Sequence, residues 1–415
     1  MNTDVFSRRW FLLSLPLIFL TLFYFYPLAK IVIVSFAPEG TFDPERLSQL
    51  TSSGNYFRIL RFTFWQAALS TLLTLILALP GAYIFTRFDF PGKNILQAIM
   101  TVPFVLPTVV TAAAFRALLG SGGIIDSWLM AGFNLSQPPV RIDQTVVFFL
   151  LAHVFYNYTL VLRIVSGYWS QLNPHQRQAA TMLGASPWQI FIRITLPLLT
   201  PAIASAALLV FIFCFTSFGV VLILGGPGFA TIEVEIYRQA VQLFNLPMAA
   251  ALSLIQIFIN FLLMWLHARL ARKNRVSFFS NSIGERPEKA GNSLQKIMLF
   301  SNIFFMVVLL LAPLTALILR SFLGEQGFTL AYYTALFTVN TRSVFFVPPI
   351  DAVLNSVGFG IAAMCISVFL GILACAYLST ARGRSATFWD AVIMLPLATS
   401  AVTLGFGYII TLNTP

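Results

Sequence analysis

Residues 178–197 read QAATMLGASPWQIFIRITLP. Just upstream, Asn173-Pro174 is a turn that can open a helix, with Asn as its cap. Residues 176–183 then favour a short helix with Ala179, Ala180 and Leu183 on one side. Gly184 suits the left-handed residue that closes such a helix. Ser186-Pro187 opens a second short helix through Trp188, Phe191 and Ile194, and Leu196-Pro197 opens a long apolar run. The stretch therefore predicts a helix–turn–helix elbow lying along a membrane. Its small alanines allow close approach, and its apolar side suits a groove on a partner protein.

The rest of the chain requires that membrane. Of 415 residues, 58% are hydrophobic and 9% charged, against about 25% charged in a soluble domain. Apolar runs near the length needed to cross a bilayer, about 20 residues, recur at 11–35, 62–86, 95–119, 144–164, 198–223, 247–270, 297–320, 352–380 and 387–411. Lipid cannot satisfy free backbone groups, and no barrel-like alternation appears, so the fold class is an all-α polytopic bundle of about nine helices. The first run follows Arg8-Arg9, exceeds a signal-peptide core and lacks a small-residue cleavage site, so it reads as a retained helix. Cys214, Cys365 and Cys375 all lie in apolar runs and read as small core residues.

Basic residues set the orientation. With the N-terminus in the cytoplasm, most of the 25 Lys and Arg fall inside, among them Arg8, Arg9, Arg87, Lys93, Arg163, Arg177, Arg193, Arg269, Arg272 and Lys273. The formal charge of +11 is then a cytoplasmic-face property and not a nucleic-acid footprint. Residues 271–296 are the one long polar, basic stretch and read as a cytoplasmic linker between a half at 1–270 and another at 297–415. The halves repeat: Ala82-Tyr83, Arg87 and Pro103 recur as Ala376-Tyr377, Arg382 and Pro396. Parallel repeats of this kind build a pathway at their interface. A second elbow, one repeat beyond Gln178, would fall past Pro415, so the second half is expected to be incomplete, lacking about three spans.

No G-x-x-x-x-G-K-[ST] motif occurs; the one Gly-Lys pair, Gly92-Lys93, precedes Asn94. The chain is therefore expected not to hydrolyse ATP and to be non-catalytic, with no cofactor or resident metal of its own. His153 and Asn157 stand one turn apart in the fourth run. They are pathway candidates because polar groups inside a membrane are costly; hydrogen bonding between helices, which holds a bundle together, is the plainer reading. No acid lies deep in the first eight runs, which disfavours an ion-coupled secondary transporter, and His153 alone does not make an enzyme site. Asp390 is placed at the cytoplasmic interface near Arg384. Pro80-Gly81, Pro103 and Pro107 are expected to interrupt the second and third runs. Gly225-Gly226-Pro227-Gly228 breaks the chain on the outer side. Residues 232–244, with Glu233, Glu235 and Arg238, form either a docking surface or a solvated connection.

The elbow resembles the coupling loop of ABC importer permeases, E-A-A-x3-G-x9-I-x-L-P. Gln178 replaces its usual Glu, and Ala179, Ala180, Gly184, Ile194, Leu196 and Pro197 match. Residues 151–157 (LAHVFYN), 214–219 (CFTSFG), 224–226 (LGG) and 231–237 (TIEVEIY) are similar to the two-domain permeases of the thiamine and ferric-iron importers, and look most like the thiamine branch. The resemblance implies a multi-pass permease of a bacterial inner membrane with two ATPase subunits inside and a solute-binding protein outside. The elbow residues would carry the ATPase contact, and transport would run by alternating access. The solute would be thiamine, or a ferric chelate as the alternative.

Overall fold

The computed structural model describes residues 3–37, 54–275, 287–324, 327–338, 348–381 and 384–412. In chain order its helices are α1 (Thr3–Leu20), α2 (Tyr26–Phe36), α3 (Gly54–Arg87), α4 (Lys93–Ile99), α5 (Val102–Val105), α6 (Thr108–Leu119), α7 (Ile124–Phe133) and α8 (Val146–Trp169). There follow α9 (Pro174–Met182), α10 (Pro187–Ile190), α11 (Leu196–Phe215), α12 (Ile232–Tyr237), α13 (Leu246–Arg275), α14 (Ser293–Phe322), α15 (Ala331–Thr334), α16 (Pro349–Thr380), α17 (Arg384–Met394) and α18 (Ala401–Leu412). One two-residue hairpin, Leu323–Gly324 with Gly327–Phe328, follows α14. Most of the expected linker, 276–286, lies outside the described residues.

Among the described residues, 8 helices or helix pairs are long and apolar enough to cross a membrane. The ninth expected run, 387–411, is instead broken into α17, a 3-10 turn at Leu395–Ala398 and the short apolar helix α18. The expected span 95–119 likewise divides into α4, α5 and α6, and the membrane-length stretch is Thr108–Phe133. Pro103 and Pro107 supply no N–H, and Leu106, just before Pro107, is extended with ψ 139°. The carbonyls freed by these breaks find donors on α8: Thr159 Oγ1 donates to Met100 O, and Tyr156 Oη donates to Leu106 O at 3.1 Å. Such side-chain repair is what lets irregular backbone sit at membrane depth. Pro80, by contrast, does not interrupt α3, which runs unbroken to Arg87. The expected span 198–223 stops at Phe215, where Thr216 turns its hydroxyl back to Ile212 O at 3.0 Å.

The break pattern occurs twice. Arg87, Val102, Val105, Thr108 and Leu119 bound the elements of the first copy. Thr380, Leu395, Ala398, Ala401 and Leu412 bound those of the second at one constant spacing. Of the identities in the sequence repeat, Pro103 and Pro396 share this spacing, whereas Ala82-Tyr83 and Arg87 are displaced from it by one and two residues.

The chain divides into two compact units. The first comprises Met1–Pro44, Gln239–Ile257 and Ile318–Pro415. In it α1 packs along α16 and α2 along α18. Gly407 admits Pro27 so closely that a Cβ there would lie 2.9 Å from the ring. Tyr24 Oη lies 2.7 Å from Thr399 Oγ1 and donates to Leu395 O at 3.1 Å. Ile31, Ala240, Ala249, Ala250 and Phe406 form the buried cluster.

The second unit, Glu45–Arg238 with Phe258–Leu317, is built on α3, α8 and α11. The buried face of α3 is lined by Thr63, Ala67, Ser70, Thr74, Ala78 and Gly81. Small residues in this register let membrane helices approach closely without a hydrophobic driving force between them.

Candidate functional site

The elbow folds by its own local chemistry. Asn173 caps α9 by accepting the His175 N–H at 2.9 Å. At the other end Gly184 takes φ +81°. Across it the Ala185 N–H donates to Ala180 O and the Gly184 N–H to Thr181 O, each at 3.0 Å. These paired bonds are a Schellman closure, the reason a glycine stands at this position. Ser186 then forms a reciprocal capping box with Gln189: Gln189 N–H to Ser186 Oγ at 3.3 Å, Ser186 N–H to Gln189 Oε1 at 2.9 Å. The Ser-x-x-Gln spacing announced that box in the sequence, where it was not read.

None of the α9 residues is buried. Met182 and Leu183 at its tip are 90% and 88% exposed, and Trp188 is also exposed. Sequence reading placed Leu183 on the apolar side but missed Met182. Ala179 and Gln178 are exposed, and Ala180 is half-buried. Gln178 Oε1 lies 3.2 Å from His175 Nδ1, so the residue that departs from the usual glutamate is held within its own helix. Ile194 is half-buried, whereas Leu196 and Pro197 open α11 on an exposed face. Between the elbow and α11 the chain makes a π turn, Phe191–Thr195, a device common at functional joints.

His153 and Asn157 lie inside the second unit, both buried. His153 Nδ1 is 2.8 Å from Ser70 Oγ on α3, and its Nε2 is 2.8 Å from Ser217 Oγ beyond α11. Asn157 donates to His153 O at 2.9 Å and lies 3.5 Å from Cys214 Sγ. Thr231 donates to Ser217 O at 3.3 Å, and Thr63 Oγ1 accepts the Ile232 N–H at 3.1 Å. The two candidates are therefore joined in one polar seam that caps the end of α11 and the start of α12. Ser70, Thr63 and Gln66 were not singled out in the sequence, and Ser217 only within the 214–219 stretch; the register that puts Thr63, Gln66 and Ser70 on one face of α3 could have found them.

The expectation about the acids of residues 232–244 is corrected. Residues 232–244 are neither a solvated connection nor an open surface where their acids stand, since Glu233 and Glu235 are 0% and 1% exposed. The bond from Ile232 N–H to Thr63 draws α12 onto α3. Asp126 on α7 is also fully buried, where it accepts the Val140 N–H at 3.0 Å and the Gly122 N–H at 3.3 Å.

Beyond α3 the turn is held by a residue just ahead of α14. Glu288 pairs with the Arg87–Asp89 backbone, and Arg87 Nη2 meets its carboxylate at 3.0 Å. Lys93 donates to Phe88 O at 2.9 Å. Burial lowers the pKa of its ammonium, against the opposing pull of Asp89.

Residues 70–276 match the family model described as binding-protein-dependent transport system inner membrane component. The chain is 32% identical over 238 residues to the thiamine transport system permease protein ThiP of Salmonella typhimurium, covering 57% of this chain and 43% of that protein. It is 26% identical over 360 residues to the ThiP of Brucella abortus strain 2308, covering 86% and 63%. A putative 2-aminoethylphosphonate transport system permease protein, PhnU of Salmonella typhimurium, is 27% identical over 265 residues, 64% of this chain and 93% of that one. The chain thus spans about half the length of the curated thiamine permeases it matches. A solved bacterial ABC transporter involved in the import of the acidic polysaccharide alginate superposes with a TM-score of 0.54 at 18% identity, covering 66% of this chain and 98% of that one. At that identity the likeness concerns the fold. The elbow, the broken spans and the match over residues 70–276 agree: the chain belongs to the binding-protein-dependent inner membrane components, the permeases of ABC importers.

Proposed function

We propose that this chain is the membrane subunit of an ATP-driven importer that passes thiamine from an extracytoplasmic solute-binding protein into the cytoplasm. The observation that carries the reading is the exposed apolar tip of the elbow, Met182 and Leu183, on a helix none of whose residues is buried. Such a tip, on a helix capped by the Asn173 side chain at one end and by backbone bonds across Gly184 at the other, suits a groove on a cytoplasmic ATPase. Gln178, Ala179, Ala180 and Gly184 form the contact, and Ile194, Leu196 and Pro197 carry its motion into α11. The N-terminus and the elbow face the cytoplasm, as the basic residues indicate. His153 and Asn157 back the pathway from within the seam. The halves divide near residues 271–296.

Thiamine is favoured because the relatives that match most of the chain are thiamine permeases. A second reading, 2-aminoethylphosphonate, is favoured by a relative matched over 93% of its length. The sequence resemblance keeps a ferric chelate in the comparison. The test is uptake into membrane vesicles loaded with ATP, with the cognate ATPase and binding protein supplied. Labelled thiamine, 2-aminoethylphosphonate and ferric chelate are offered in parallel. ATP-dependent thiamine uptake that Gly184→Trp abolishes supports the proposal. Uptake that persists without any ATPase overturns it, and uptake of another solute alone moves the specificity while leaving the mechanism.

A further inference from the structure

We infer that Glu288 is a positioning residue for the coupling elbow: it clamps the turn after α3, and a line of packed rings joins that clamp to Trp188. The inference rests on reading the elbow as the ATPase contact.

The clamp has three bonds from one residue. The Glu288 N–H donates to Arg87 O at 3.0 Å, the Asp89 N–H donates to Glu288 O at 2.9 Å, and the carboxylate meets the Arg87 guanidinium at 3.0 Å. The carboxylate is 61% exposed, so the ion pair alone contributes little. The two backbone bonds make the attachment directional. Lys93 adds a bond to Phe88 O, and the Phe88 side chain is buried.

From Phe88 the rings follow without a gap. Phe88 meets Tyr83 edge-on at 6.1 Å, Tyr83 meets Trp169 at 5.7 Å, Trp169 stacks on Phe191 at 6.2 Å, and Phe191 stacks on Trp188 at 5.9 Å. Every spacing falls within the range of favourable aromatic pairs. The line crosses α3, the last residue of α8 and the first residue of the π turn, and ends on the elbow. One end therefore rests on the segment that precedes α14, and the other on the joint that moves α11. The elbow keeps its own fold through the Gly184 closure and the Ser186 capping box. Loss of the clamp should thus spare partner capture and impair transmission.

The test reconstitutes the permease with its ATPase and binding protein. It reads two quantities: capture of the ATPase, and the stimulation of ATP hydrolysis by the binding protein. Glu288→Pro removes both the donor to Arg87 O and the carboxylate. Trp169→Leu breaks the line at its middle without touching the clamp. Both are expected to leave capture within about twofold and to reduce the stimulation about fivefold or more, the lower edge of ordinary coupling between sites. The double variant should lose no more than the worse single one, as residues on one line require. Unchanged stimulation in both variants overturns the inference, and so does loss of capture in either. Gly184→Trp is the control: if it leaves capture intact, the elbow reading itself fails, whatever the other variants do.

Discussion

The side-chain amide of Gln66 donates to the carbonyl of Cys214 across 2.8 Å, joining the middle of α3 to the last turn of α11. The same NH2 group donates to Thr63 O at 3.2 Å. α11 ends inside the bundle, so its last carbonyls lack helical partners and have no water to turn to. Gln66 supplies one of the missing donors. Gln66→Leu should lower stability by about 0.5–1.5 kcal/mol, the cost of one lost hydrogen bond, because the Ser217 N–H still donates to the same carbonyl at 3.3 Å. Gln66→Glu should cost more, because it removes the donor and adds a buried carboxylate. Denaturant unfolding in detergent ranks the two; equal stability of wild type and Gln66→Leu would remove the capping role.

His153 offers a sharper test, because both ring nitrogens have serine hydroxyls at 2.8 Å. Hydrogen bonds between membrane helices contribute about 0.6 kcal/mol on average and at most about 1.7 kcal/mol. Ser70→Ala and Ser217→Ala should each fall in that range. His153→Leu should cost about 1–3 kcal/mol, since it strands two hydroxyls. Adding Ser70→Ala and Ser217→Ala to His153→Leu should recover part of the loss, because apolar groups then face one another. A triple variant less stable than His153→Leu would show that the ring acts through something other than these two serines.

How much of this was legible in the sequence depends on how local the cause is. Gly184, Ser186-Pro187 and Asn173-Pro174 act within a few residues of themselves, and the elbow stands where they predicted. Pro103 and Pro107 announced the break in the third span. What makes the break tolerable is Tyr156 and Thr159 on α8, and a side chain that repairs a carbonyl some 50 residues away leaves no mark in local pattern. Pro80 shows the converse. It predicted an interruption, yet α3 continues, with its neighbour Gly81 facing Tyr158. The burial of Glu233 and Glu235 was hidden for the same reason: their spacing reads as polar, and the bond to Thr63 that draws their helix inward is tertiary.

Gly184 separates local strain from global stability. Its φ of +81° is unfavourable for any residue with a Cβ, and nothing lies within 4 Å of where that Cβ would sit. Gly184→Ala therefore adds conformational strain and no clash, about 1–2 kcal/mol. None of the residues of α9 is buried, so this should fall on the elbow and leave the melting of the bundle unchanged. ATPase capture should weaken roughly fivefold to thirtyfold, since about 1.4 kcal/mol is a factor of ten. Pull-down at graded ATPase concentrations reads the shift. Intact capture together with a lowered melting temperature would place the glycine in the bundle's stability and not in the contact.

Gly81 and Tyr158 make the opposite case, a clash without strain. A Cβ on Gly81 would lie 2.5 Å from Tyr158 Oη and 3.1 Å from Leu162 Cδ1. Both partners sit on α8, buried against α3. Overpacking of this size costs about 1–3 kcal/mol. Tyr158 Oη is buried and makes no hydrogen bond among the described residues, so Tyr158→Phe removes the clashing atom without stranding a described partner. Tyr158→Phe alone should be neutral or mildly stabilising, Gly81→Ala alone destabilising, and the double variant close to wild type. That reversal is specific to contact between these two side chains, because a glycine needed for backbone freedom would not be rescued from α8. Thermal melting of the four proteins completes the cycle, and additive losses in the double variant would show that the close approach of α3 and α8 is not what Gly81 serves.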